Sequence, residues 1–161
     1  MTTTSKPLVV SNILIYAANG GSPFYKKATE VIERYLRSGF FLSDLNLIEF
    51  FQVVTDTRKT PDPFSPKEAF TYIKKLVAVP GVDVLRTQTL AELLAIEAIC
   101  EEMIELGIRR FQIYDYLIAD CMRKNKVKMI ITGDEGDFKK FGFIEVINPF
   151  VPEFPHSTSS A

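Results

Sequence analysis

The chain has little of what usually announces a catalytic centre: one histidine, His156, and two cysteines, Cys100 and Cys121, in 161 residues. His156 lies in a Pro- and Ser-rich tail, a poor place for a catalytic base, so any base chemistry would have to come from another source, such as metal-activated water. Two cysteines make neither a zinc site nor a disulfide framework. Both lie in helical, largely apolar patterns, where a thiol acts as a small buried hydrophobe. The expected compartment is a reducing, intracellular one. Charge of one sign is also missing: 19 basic residues face 20 acidic ones, for a net charge of −1. That excludes coating nucleic acid through bulk positive charge and leaves room only for a local basic patch. No apolar stretch approaches the ~18 residues of a credible membrane span. The start, Met1 to Lys6, lacks the apolar run of a secretory leader. The protein reads as cytoplasmic, with no membrane partner.

What is present is apolar and periodic. Thirteen phenylalanines and a hydrophobic content of 47% predict a rich core. At this length a single domain buries about 70% of its unfolded surface. Short apolar runs at Leu8 to Ser11, Phe40 to Leu42, Val82 to Leu85, Lys128 to Thr132 and Phe143 to Val146 are strand candidates. Helical patterns separate them, which predicts crossover connections and a parallel sheet covered on both faces, an α/β fold. Ser22-Pro23 predicts a helix start with proline in the first turn. Ser65-Pro66-Lys67-Glu68 and Thr89-Leu90-Ala91-Glu92 read as capping boxes. Further helices are expected from Leu45 to about Thr55, from Thr89 to Gly107 and from about Arg110 to Asn125, with a loop over Thr57 to Pro63. The expected organisation is a flexible N-terminus (1–6), one domain (7–149) and a Pro/Ser-rich tail (150–161). That tail is a candidate for docking on its own domain or a partner through Phe150 and Phe154.

The chemistry-bearing signal is a set of acids where apolar elements meet polar residues. In parallel α/β sheets, ligands bind beyond the carboxyl ends of the strands. Asp134 and Asp137 follow the strand ending in Ile130-Ile131-Thr132, Glu49 lies in the helix after the second strand, and Asp115 stands near a helix start. Acids gathered without intervening cations repel one another, so a cluster calls for a cation. Hard oxygen donors without clustered His or Cys favour Mg2+ or Mn2+ over zinc. The opening strand carries no acid, and none precedes Glu30.

The residues around these acids resemble the motifs of PIN domains, the fold of VapC-like toxin ribonucleases. Val10-Ser11-Asn12-Ile13-Leu14-Ile15-Tyr16-Ala17 is similar to that family's Asp-Thr-Asn-Val-Leu-Val-Tyr-Ala stretch. Ser43 to Phe50 resembles the segment that supplies its second acid. Asp115-Tyr116-Leu117-Ile118-Ala119 resembles Asp-Ala-Leu-Ile-Ala, and Thr132-Gly133-Asp134 with Asp137-Phe138 resembles the closing Thr-x-Asp and Asp-Phe. Each motif is weak alone, but four in order, from about Leu8 to Pro149, are specific. The resemblance implies a three-layer α/β/α domain with a parallel sheet of four or five strands. It also implies Mg2+- or Mn2+-dependent RNA cleavage, a homodimer and, in toxin members, a small antitoxin.

In that frame Glu49, Asp115 and Asp134 are the expected metal ligands and Asp137 a supporting catalytic acid. Asn12, with the hydroxyls of Ser43 and Thr132, would orient ligands, metal-bound water or phosphate. Arg109, Arg110, Lys139 and Lys140 are the candidates to meet an RNA backbone. The departure is Val10, which stands where the family has its first Asp and cannot ligate metal. Weakened metal affinity and little or no cleavage follow as the expectation. The alternative is a non-catalytic module binding RNA or a protein. Plainer roles exist for each acid: Glu49 as a solvated helix position, Asp115 as a first-turn acid favoured by the helix dipole, Asp137 as a cap. Asp120, about 140° around the helix from Asp115, is expected at the surface, Asp44 as a cap, and Asp56 at a solvated helix end.

Overall fold

Adjacent residues of a strand point to opposite faces of its sheet, so a strand whose neighbouring residues are both buried must be covered on both sides. Leu8 and Val9, and Ile130 and Ile131, are all 0–1% exposed. These pairs form the centre of a parallel sheet in the computed structural model, which describes residues 6–87 and 96–152. Its strands are β1 (Leu8–Val9), β2 (Phe40–Ser43), β3 (Val82–Leu85), β4 (Met129–Ile131) and β5 (Glu145–Ile147), in the order β3-β2-β1-β4-β5. Every pairing is parallel, with Leu8 opposite both Phe41 and Ile130.

Each step to the next strand needs a crossover, and helices supply it. Helices α1 (Ser11–Ala18) and α2 (Tyr25–Leu36) lead from β1 to β2; α3 (Asp44–Val54) and α4 (Pro66–Val77) lead from β2 to β3. Helices α5 (Ile96–Glu105) and α6 (Gln112–Lys124) precede β4, and the short α7 (Gly136–Lys139) precedes β5. The fold is the expected α/β one, with a five-stranded parallel sheet. The core gathers Phe40, Leu42, Phe50, Ile13, Leu14 and Met122, all fully buried. A large apolar side chain buried in this way contributes roughly 1.5–3 kcal/mol.

Local chemistry explains most boundaries. Ser65 accepts the Glu68 N–H at 3.3 Å while Glu68 accepts the Ser65 N–H at 2.7 Å, the expected capping box, with Pro66 in the first turn of α4. Before β2, Gly39 has φ +81, and a side chain there would meet the Gly81 carbonyl oxygen at 2.7 Å. Glycine lets the turns preceding β2 and β3 pack backbone to backbone.

Several boundaries differ from the sequence reading. Strand β1 ends at Val9, because Val10 is the extended N-cap of α1 and Ser11 already belongs to that helix. Helix α2 starts at Tyr25: Ser22 lies in the turn before it, where its hydroxyl accepts the Phe24 N–H at 3.1 Å. Strand β5 is displaced to Glu145–Ile147, since Phe141 to Ile144 close a turn, Ile144 N–H to Phe141 O at 3.0 Å. Asp44 is not the cap of α3. Ser43 is, while Asp44 accepts from the backbone N–H (3.1 Å) and hydroxyl (2.9 Å) of Thr87, tying the end of β3 to the start of α3. Asp120 is buried rather than at the surface, with Arg123 at 2.9 Å and Lys124 at 2.7 Å. Asp56 pairs with Arg58. At the domain's expected edges, Lys6 pairs with Asp83 and lies over the Phe41 ring, and Phe150 packs against Tyr16 and Phe24. The capping box at Thr89 and the contact expected of Phe154 fall outside the described residues.

Candidate functional site

The strand order reverses direction between β1 and β4, the point at which the carboxyl ends of an open parallel sheet leave a crevice. Val10 stands there, just after β1. It is 4% exposed, and its N–H donates to the Ile131 carbonyl at 3.1 Å. An apolar side chain at this depth packs with the core, and no acid replaces it.

The turn after β4 is tied across the crevice to α1. Asn12 Oδ1 accepts the Gly133 N–H at 3.2 Å, and its amide donates to the Thr132 hydroxyl oxygen at 3.3 Å. Thr132 Oγ1 in turn accepts the Asp134 N–H at 3.0 Å. Asn12 and Thr132 therefore hold the segment that carries Asp134. Sequence reasoning missed the outer half of this arrangement. The Asn148 amide donates to the Gly133 carbonyl at 3.3 Å and its carbonyl accepts the Phe150 N–H at 3.0 Å. A side chain at Gly133 would meet the Phe150 ring at 3.0 Å, so the segment after β5 clamps the same turn. Asn148 followed by Pro149, a polar side chain at a strand end, was the available signal.

Ser43 does not join the site. Its hydroxyl accepts the Asn46 N–H at 3.1 Å and donates to Asn46 Oδ1 at 2.7 Å, capping α3. Asn46 Nδ2 is left as the one buried side-chain polar atom without a partner among the described residues.

Helix α3 then presents Glu49, which accepts a hydrogen bond from the buried Ser11 hydroxyl. Asp115 is half-buried in the first turn of α6, and Asp137 lies inside the first turn of α7 rather than capping it. Burial, followed by the charge of Asp137 and then those of Glu49 and Asp134, pushes the Asp115 carboxyl up to about 7, against the opposing pull of Lys140. Asp137 is raised for the same first reason, burial, and then by Asp134 and Glu49, again against Lys140. The four predicted acids thus share one electrostatic neighbourhood. Among the described residues, however, no three acidic, histidine or cysteine side chains come close enough to cage one ion. The donors suit a hard divalent cation in type and charge, and Val10, just after β1, adds no donor to them.

The predicted cations divide. Lys139 pairs with Glu135, one turn back in the same short segment, whereas the half-buried Lys140 faces the acids and lies over Phe141. Arg109 and Arg110 are exposed on the approach to α6.

A sequence model described as PIN domain matches residues 8–144. The chain belongs to the PIN domain family. Three solved structures with this fold are similar over most of the chain. The first is the VapC20 toxin of Mycobacterium tuberculosis, described as cleaving the sarcin–ricin loop, at 18% identity and TM-score 0.62, covering 88% of this chain and 98% of that one. FitAcB from Neisseria gonorrhoeae has 16% identity and TM-score 0.59, covering 88% and 96%. VapBC2 from Rickettsia felis, bound to a promoter DNA fragment, has 15% identity and TM-score 0.57, again covering 88% and 96%. No curated protein sequence matches significantly. At these identities the structural likeness shows the PIN fold, and the matched span contains every acid discussed above. Among the described residues no helix is long and apolar enough to cross a membrane.

Proposed function

We propose that this PIN domain is an endoribonuclease of the VapC-like toxin type whose Mg2+- or Mn2+-dependent hydrolysis of RNA phosphodiesters is weakened or lost. The observation that carries the reading is the shared electrostatic neighbourhood of Glu49, Asp115, Asp134 and Asp137, with an apolar, buried Val10 just after β1 where the family has its first Asp. Glu49, Asp115 and Asp134 are the residues to hold the cation, with Asp137 supporting them. When bound, such a cation would lower the pKa of a water molecule and offset charge on the scissile phosphate.

The chain's own groups would do the rest. Asn12 and Thr132 fix the backbone of Asp134, the Ser11 hydroxyl orients Glu49, and Lys140 balances part of the acids' charge. Arg109 and Arg110 would meet the RNA backbone. Below about pH 7 Asp115 holds a proton that a cation must displace, so cation binding should tighten as pH rises through that value. A small antitoxin and a homodimer go with this reading.

One observation favours a second reading, a non-catalytic PIN module that binds RNA or a protein: the acids do not close around one ion. A labelled RNA panel with Mn2+ or Mg2+, given to the parent and to Val10→Asp, separates them. Cleavage by Val10→Asp alone supports a nuclease disabled at one position. Cleavage by both, abolished by Glu49→Gln, shows that three acids suffice. Silence from both, with folded protein, supports the binding module.

A further inference from the structure

The approach to α6 carries two large rings that the core does not use. Phe111 is 74% exposed and Tyr114 is 52% exposed. Single exposed apolar residues are ordinary, but a pair on one patch beside a polar site marks a binding surface. Their spacing of three places them on one side of the helix start, and Asp115, four residues after Phe111, lies on that side too. The rings therefore lie within one turn of Asp115 at the start of α6.

The residues ahead of them are cationic. The Arg110 guanidinium lies 5.6 Å from the Phe111 ring centroid. Its backbone has φ +53, the left-handed region that a non-glycine residue enters at a cost. Arg109 is held by its N–H to Gln112 Oε1 at 2.9 Å. Neither guanidinium pairs with an acid among the described residues, unlike Arg58 and Arg123. In a chain of net charge −1, these are local positive charges flanking flat apolar surfaces.

We infer that Phe111 and Tyr114, with Arg109 and Arg110, form a platform on which unpaired bases of single-stranded RNA stack as the strand enters the acidic site. Charge complementarity selects this occupant. A strand brings phosphates to the arginines and a base face to each ring, the combination by which single-stranded nucleic acid is held without sequence readout. A second copy of the chain, itself nearly neutral, would cover the rings but leave two guanidinium groups to be desolvated. The inference rests on the ribonuclease reading only for the direction of the strand.

The test is fluorescence anisotropy of a labelled U-rich RNA of about ten nucleotides, within the usual site size. Low salt and EDTA keep both cation and cleavage out of the measurement. Phe111→Ala and Tyr114→Ala should each weaken binding about tenfold, the loss of one stacked base, while Phe111→Tyr binds like the parent. Arg110→Gln should make the log–log salt slope shallower by about 0.7. Circular dichroism checks that the variants fold, which their exposure favours. No binding by the parent, alanine variants that bind like the parent, or equal affinity for a fully paired duplex would overturn the platform. So would a shift from dimer to monomer in both alanine variants with RNA affinity unchanged, which assigns the face to a second copy. The two readings fail separately. Ring-dependent binding in EDTA with no cleavage by Val10→Asp leaves the platform standing and removes the nuclease. Cleavage by Val10→Asp that is indifferent to both rings does the reverse.

Discussion

A buried valine just after β1 changes more than the number of donors available. With Val10 in place one carboxylate fewer adds to the mutual repulsion, and what remains, together with burial, pushes Asp115 up to about 7. The folded-state value near 7 lies above the ordinary 3.8, so the folded protein binds that proton more tightly than the unfolded chain. The contribution to stability is full below about 4 and is lost as pH rises towards and beyond 7. Asp115→Asn should therefore stabilise the protein at pH 8, by roughly 1 kcal/mol after solvent screening of a half-buried group. The gain should largely vanish near pH 4, as denaturant midpoints at the two pH values would show. The converse change, Val10→Asp, places a carboxylate at a 4% exposed position. In EDTA it should cost roughly 2–4 kcal/mol. The cysteines offer a third check at this scale. Burial first, then the charges of Asp44 and Asp120, pushes the Cys121 thiol up to about 11, and it donates to the Arg86 carbonyl at 3.3 Å. Cys100 is exposed. Iodoacetamide at pH 8 should label one cysteine in the native protein and both in denaturant, with Cys100 identified by mass spectrometry.

At the scale of elements, what was legible is what is written locally. The Ser65–Glu68 box and β3 fall where their residues placed them, because cap and strand signals there are uninterrupted. The β1–α1 junction was hidden because Ser11 and Asn12 are the only polar residues between two apolar runs, Leu8 to Val10 and Ile13 to Ile15, and a polar pair there fits a strand end as well as a helix start. Ser43 was misjudged for a related reason. Its reciprocal partner is Asn46 where a box usually has Glu or Gln, and a hydroxyl at a strand end looked free for the site. For Asp120 the helical wheel set a direction about 140° from Asp115. It could not show that Arg123 and Lys124 wait there, nor that Arg123 also binds Glu102 at 2.7 Å to join α6 to α5. The clamp on the β4–α7 turn is likewise tertiary, and it makes a coupled prediction. Phe150→Ala should cost roughly 2 kcal/mol through its ring contacts with Tyr16 and Phe24. Gly133→Ala should cost about 1–2 kcal/mol in the parent and clearly less in Phe150→Ala, since the new methyl group meets that ring at 3.0 Å. A double-mutant cycle on chemical denaturation measures the coupling, and additive costs would mean that the turn does not rest on Phe150.

Across the whole molecule, the acids were legible as a set while the strand order that assembles them was not. Nothing in the sequence states that β4 and β5 add on the side of β1 away from β2, yet this places Asp134 across the crevice from α1. On the proposed reading that topology would link cation binding to global stability, because an ion held by groups on α3, α6 and the β4–α7 turn would bind only the folded chain. The gain is RT ln(1 + [L]/Kd). With no donor at Val10, a dissociation constant near the working concentration of Mn2+ would yield about 0.4 kcal/mol, a rise in Tm of about 1–2 °C for a domain of this size. Adding the carboxylate by Val10→Asp and tightening the site about a hundredfold would yield about 2.7 kcal/mol, or roughly 5–11 °C. Differential scanning fluorimetry of the two proteins in EDTA and in Mn2+ gives the contrast directly. A large Mn2+ shift in the parent, abolished by Glu49→Gln, would mean that the acids present already hold metal tightly. Equal small shifts in both proteins would mean that the acids do not converge on the position Val10 occupies, and that this valine does not set the affinity for metal.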